Sequence, residues 1–434
     1  MKQIILFFLC SFCALYLAAQ ETARMTLQEC IQYAESHNAT LQNANFNINV
    51  SEIQLRQARL QRAPTITASA SQNFGYAHGN SSFNIGGNYA ISAGINIFNG
   101  LNTYYGIKQS QLQLTQSQLQ MEQSKNAVRI DIIRAYLTIL MNQEMLDYQI
   151  NVLNSSRQQV EDGAQKYKVG QILESDYLLL QAQYMADSTN YQNTKISIEN
   201  EYVTLRNLLN MNREQAMVVV VPDSVRLSQS MIMPSLNDVI VKAFNYLPEL
   251  QIQKNAVDIA SYDVKLAKSA YYPSLTANAG ISTGYSAAYN STNHGLVSGL
   301  HDGLNESVGL NLSIPIYQQG KIRNNVKIKN IQVQQAENDL KNTENQVIKE
   351  IEGYHLDLQK AYNNFQLSNL QKQAYYANYM AYNQKFKYGS ITAVDLLQQQ
   401  TNYLNILSNF MQNKYSYIMQ VKVLEVYTGQ TVTL

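Results

Sequence analysis

Tryptophan is absent from this 434-residue chain, and cysteine occurs only three times, proline six times and glycine nineteen times. So little glycine and proline excludes a collagenous or disordered chain, and 45% hydrophobic residues is ordinary for a folded one. Charged residues supply only 15%, well below the usual quarter. Lys+Arg 32 against Asp+Glu 31 leaves a net charge of +1, which offers no electrostatic footprint for a nucleic-acid backbone. Beyond the N-terminus no run approaches the ~18 consecutive apolar residues of a membrane-crossing helix. Asn and Gln, about a fifth of the chain, replace the missing charge, and 31 tyrosines stand where tryptophan is lacking. A chain of this length exceeds one ordinary core, so two domains, two repeats or one elongated body are expected.

Met1 and Lys2 precede an apolar run from Ile4 to Ala19 that closes on Leu17-Ala18-Ala19-Gln20. A positive start, an apolar centre and small residues at a cleavage site read as a signal peptide over residues 1–20. The alternative, a membrane anchor, needs ~20 apolar residues and following charges, which this run lacks. Cys10 and Cys13 fall inside the segment, and Phe12 is too bulky for lipoprotein cleavage before Cys13. Cys30 then remains alone, so packing and assembly, and no internal disulfide, must stabilise the exported chain.

Sliding the chain against itself by 209 residues aligns residues 27–76 with 236–285 without gaps. Leu27, Ile31, Ala34, Leu41, Pro64, Ala68, Gly75 and Tyr76 meet Leu236, Ile240, Ala243, Leu250, Pro273, Ala277, Gly284 and Tyr285. The chain therefore reads as a duplication. The first repeat, 21–213, holds a helix 25–62, strands 65–76 and 84–98 and a helical hairpin 101–210. A linker, 214–233, leads to the second repeat, 234–434, with a helix 236–270, strands 274–287 and 304–316 and a hairpin 321–427. Pro64 and Pro273 end the first helices, as residues without an N–H should. Sixty proline-free helical residues extend ~90 Å, too long for a globule. Their apolar residues spread over a wide arc with Gln, Asn and Ser between, which suits helices packed side by side in a ring around water.

The strands alternate with period two. Ile85, Tyr89, Ile91, Ala93 and Ile95 share one face, and Asn84, Asn88, Ser92 and Asn96 share the other. Val308, Leu310 and Leu312 likewise oppose Ser307, Gly309 and Asn311. Segments of 10 to 14 residues suffice for a tilted transmembrane β-strand. Phe98, Tyr271, Tyr272 and Tyr317 at one end, with Phe74, Tyr76 and Tyr285 at the other, form two aromatic girdles expected at membrane interfaces. Alternation alone also fits a soluble sandwich, but the polar face of Gly, Ser, Thr and Asn with almost no charge favours a lumen. Four strands cannot close a barrel, and open edges are not tolerated in hydrocarbon, so several chains must share one barrel. With three or more chains the axis stays open to water.

Each half also carries one spacing: Tyr167-Lys-Val-Gly170-Gln-Ile172-Leu-Glu-Ser-Asp176 and Phe386-Lys-Tyr-Gly389-Ser-Ile391-Thr-Ala-Val-Asp395. With the duplicated helix, hairpin and long-helix order, it resembles the TolC-like outer-membrane efflux protein family over nearly the whole mature chain. The resemblance implies a homotrimer, mixed α and β, with a trimeric 12-stranded transmembrane β-barrel in outer-membrane lipid and a long α-helical tunnel in the periplasm. It implies an exit duct for efflux or type I secretion, met at its closed end by a periplasmic adaptor and an inner-membrane RND or ABC pump. It places Val169, Gly170, Gln171, Tyr388, Gly389 and Ser390 at periplasmic tips that touch the adaptor, and Asp176, Asp395 and Gln398 near the pore constriction. The two carboxylates have a second reading as first-turn charges stabilised by a helix N-terminus. Gln171 and Ser390 depart from the usual tip sequence, and Gln398 replaces a second acid.

No catalytic, cofactor or metal site is expected. Gly280-Ile-Ser282-Thr-Gly284 spells a nucleophile elbow but lies within an alternating strand, where that turn cannot form. The five histidines show no metal-binding spacing. A non-channel alternative, an exported helical-hairpin adaptor or envelope spacer with a soluble β part, remains; such a protein should carry one hairpin and not two copies.

Overall fold

The computed structural model describes residues 23–77, 82–221, 234–288, 301 and 303–434. The expected leader at 1–20 and most of the linker lie outside them. In chain order the elements are β1 (Ala23–Met25), α1 (Leu27–His37), α2 (Ala39–Leu60), β2 (Thr65–Ala77), β3 (Ser82–Asn99), α3 (Asn102–Lys168) and α4 (Glu174–Leu209). There follow β4 (Met217–Val219), α5 (Leu236–Tyr246), α6 (Pro248–Ser269), β5 (Ser274–Ala288), β6 (Asn305–Ser313), α7 (Lys321–Lys387) and α8 (Ala393–Tyr427). Two compact units emerge: residues up to Ala44 with Met121–Pro248 and Glu344–Leu434, and Asn45–Gln120 with Glu249–Thr343.

Both first helices, expected as single pieces over 25–62 and 236–270, are broken, and each break has a local cause. Asn38 takes an extended backbone, and its side-chain oxygen accepts from the Thr40 and Leu41 amides while Nδ2 donates to Leu208 O at 2.7 Å. It therefore ends α1 and caps α2 at once. Leu247 is forced extended by Pro248, whose ring clashes with a helical residue before it.

In the first unit, β1 and β4 pair in parallel, a contact of two three-residue segments with no clear signal in the sequence. Tyr136 lies fully buried beneath them and donates its hydroxyl to Val220 O at 2.6 Å. Leu27, Cys30, Ala34, Ile132, Ile133, Leu205 and Leu209 pack around it. Burial pushes the Cys30 thiol up to about 12, so it behaves as a small apolar side chain.

The second unit holds an antiparallel sheet in the order β2-β3-β5-β6. Its register stacks like on like. Ile66, Ala93, Ala279 and Val308 form one row across all four strands, and Ile95, Ala277 and Leu310 another. On the opposite face Thr67, Ser92, Gly280 and Ser307 line up, with the Thr67 and Ser92 hydroxyls 2.8 Å apart. The apolar face is bare: Ile66 is 72%, Leu310 70% and Val308 89% exposed. One residue, Ile97, is squeezed out as a bulge between Asn96 and Phe98. Strand β6 stops at Ser313, short of the expected 316, because Pro315 has no N–H to give the ladder. Helices of this unit are tied by amides: Asn255 donates to Leu112 O at 2.9 Å and Gln116 Oε1 at 2.7 Å. Among the described residues, no helix is long and apolar enough to cross a membrane.

Candidate functional site

Two regions gather the residues singled out by sequence, the sheet in the second unit and the helix tips in the first. On the sheet, Phe74, Tyr76 and Tyr285 lie toward the end where Ala77 faces Ser82. Phe98, Tyr271, Tyr272 and Tyr317 lie toward the other end, all of them exposed. Tyr285 occupies the apolar row Gln72-Gly87-Tyr285. Its ring covers Gly87, where a Cβ would come within 2.6 Å of it, and its hydroxyl donates to Gln72 Oε1 at 2.8 Å. A glycine gap and the Gln72 side chain, on the face that carries the apolar rows, are thus filled and satisfied by one tyrosine. Alternation could not show this, because Gln72 and Tyr285 are 213 residues apart.

At each tip the same hydrogen bonds end the long helix. Gly170 has φ +74 and donates to Tyr167 O, and Gln171 donates to Lys166 O at 2.8 Å. Gly389 has φ +73 and donates to Phe386 O, and Ser390 donates to Lys385 O at 2.9 Å. These paired bonds form a Schellman cap, which needs a left-handed residue at the glycine. Val169 and Tyr388, immediately before the glycines, are both largely exposed. The tips are brought together by Lys166, which donates to Phe386 O at 2.5 Å and sits 4.4 Å from that ring.

Beyond the glycines the two copies part. Thr392 caps α8 through its hydroxyl, and Asp395 Oδ2 accepts from Thr392 N at 3.1 Å and Oγ1 at 2.7 Å. Those bonds from the Thr392 hydroxyl and amide hold the Asp395 carboxyl below its usual range. The equivalent position before α4 is Leu173, which has no side-chain cap to offer, so Asp176 makes no such box. Gln398 donates to Asn402 Oδ1 at 3.2 Å along its own helix. Both carboxylates thus lie in the first turn of a helix, and Asp395 alone of the two also closes a capping box.

A third cluster was not foreseen. Asp187 on α4 is 4% exposed and accepts from Ser156 of α3, from Gln183 and, at 3.0 Å, from Gln400 of α8. Burial raises its pKa, opposed by the three hydrogen bonds. Gln400 is fully buried and its Oε1 has no partner among the described residues. The sequence holds one signal, a glutamine five residues beyond each tip aspartate: Gln181 reaches Tyr177 at 2.8 Å, whereas Gln400 joins three helices.

The family model for outer membrane efflux proteins matches residues 30–211 and 239–430. The chain belongs to the outer membrane efflux protein family. Outer membrane protein TolC of Vibrio cholerae is 24% identical to this efflux-family chain over 271 residues, 61% of this chain. The alignment spans 60% of the length of that curated relative. Among solved structures, CusC superposes with a TM-score of 0.79 at 14% identity, covering 95% of each chain. The CmeC outer membrane channel of Campylobacter jejuni gives 0.77 at 17% identity, covering 93% of this chain and 85% of its own. The open state of the MtrE outer membrane channel of Neisseria gonorrhoeae gives 0.74 at 15%, covering 93% and 89%. At such identities these matches establish that this family member shares the channels' fold, largely helical with a sheet.

Proposed function

We propose that the protein is an outer-membrane exit duct, a passive conduit and not an enzyme, for small molecules or proteins driven out by an inner-membrane pump through a periplasmic adaptor. The observation that carries this reading is the four-stranded sheet of an efflux-family chain whose apolar rows are bare. Its outer strands β2 and β6 each pair on one side only among the described residues. Lipid would cover the rows, and backbone groups left open in hydrocarbon would cost several kcal/mol each. Sister chains must then complete the sheet; three supply twelve strands, enough for an open lumen lined by the Thr, Ser and Asn rows. The long helices would continue the duct into the periplasm, with Val169, Gly170, Gln171, Tyr388, Gly389 and Ser390 at the adaptor-facing tips. Asp176 is the better candidate for a charged ring at the constriction, since the Asp395 carboxylate is occupied by Thr392. The two family-model matches favour tandem repeats, 21–213 and 234–434, and residues 1–20 would direct export.

Reconstitution of the full chain in a planar bilayer, with gel analysis before and after heating, tests the proposal. A heat-modifiable trimer with stable unit conductance is expected. A monomer that stays soluble without detergent would instead favour the envelope-spacer reading and end this one.

A further inference from the structure

A cavity of about 490 Å³ in the first unit lies between α3, α7 and α8, within the range of small-molecule sites. Four tyrosines line it, Tyr148, Tyr376, Tyr379 and Tyr403, together with Lys372 and several uncharged side chains, and among the described residues no carboxylate does. The aromatic wall is already set. Tyr379 and Tyr403 lie parallel with centroids 5.7 Å apart, and Tyr376 tilts against Tyr403 at 5.4 Å. Ser155 and the Tyr379 hydroxyl are 3.0 Å apart, and Gln159 donates to that hydroxyl at 3.4 Å, which fixes the central ring.

Lys372 lacks an anion. Its Nζ rests 3.7 Å from the Phe410 ring centroid, and it enters no ion pair among the described residues. Glu144, whose charge is felt at Lys372, is already held by Lys414 at 2.7 Å and by the Tyr415 hydroxyl at 2.9 Å. Burial lowers the Lys372 pKa, Glu144 opposes this and Lys414 adds to it. A half-desolvated cation beside preformed aromatic faces is arranged to receive a ring carrying one negative charge.

We propose that this cavity binds a small aromatic carboxylate, with the carboxylate paired to Lys372 and the ring set among Tyr148, Tyr376, Tyr379 and Tyr403. The site belongs to the helical unit alone and does not depend on the conduit reading. Equilibrium dialysis of the full chain in detergent tests it, with 2-naphthoate as probe and protein-free micelles as blank. Saturable binding of about one naphthoate per chain is expected, weakened at least about tenfold by Lys372→Met and held within roughly threefold by Lys372→Arg. Tyr376→Leu should weaken it roughly fivefold, and Lys360→Met, remote on α7, should leave it unchanged. The cationic ring 2-naphthylmethylammonium should bind at least about tenfold more weakly than the carboxylate. Equal affinity for the two probes, undiminished naphthoate binding by both Lys372→Met and Tyr376→Leu, or no saturation below about 10 mM would overturn the assignment.

Discussion

A Cβ at Gly170 or Gly389 would meet nothing within 4 Å, so alanine there costs only the left-handed backbone, about 1 kcal/mol. Gly100, also left-handed at φ +65, differs, because its Cβ would run into Ser269 O and lie 2.8 Å from Tyr272 Cβ. Gly100→Ala should therefore lower the thermal midpoint several times more than Gly389→Ala, as read by circular dichroism. Asp187 offers a test with the opposite sign. Its folded pKa is raised, so between the unfolded and folded values the native chain holds a proton that the unfolded chain has lost. Stability then falls as pH rises through that window. Asp187→Asn keeps a side chain able to bond Gln183 and Gln400, and should raise stability by about 1 kcal/mol at pH 7 and flatten the slope. A thermal midpoint series from pH 4 to 8, with approximate limits set by ordinary carboxylate titration, checks both.

At the scale of elements, the two faces of the sheet should respond differently to the same charge. Leu310 lies in an apolar row with Ala277, and Asn311 faces Thr276 on the other side. Leu310→Arg should cost about 2 to 4 kcal/mol if lipid covers that row, and Asn311→Arg much less. The thermal midpoint of each variant in detergent, read by circular dichroism, separates the two outcomes. The start of α8 should be acid-sensitive. Asp395 has a lowered folded pKa, so its contribution is present above the unfolded value and is lost as pH falls through the folded one. Amide exchange at the first turn of α8 should quicken below about pH 4. Strand positions and faces were readable because a period of two survives in sequence. Breaks at Asn38 and Leu247 were harder to read: apolar spacing runs on across them, and only the capping bonds and the residue before Pro248 decide them.

For the molecule as a whole, composition and repetition determined a great deal. A weakly charged polar majority, two copies of one motif and alternating segments already pointed to very long helices and to a sheet with one polar and one apolar face. These are properties of local pattern and of counting, which need no knowledge of what touches what. The structure shows Asp395 closing a capping box with Thr392, three residues away, while Asp176, behind Leu173, closes none. It alone joined Gln400 to Asp187, filled the gap at Gly87 with Tyr285 and left Lys372 facing a cavity of tyrosines. Each depends on residues tens to hundreds of positions apart, or on one neighbour differing between two otherwise matching copies. Sequence period records which face a residue occupies; partners across helices and strands are set only when the chain packs.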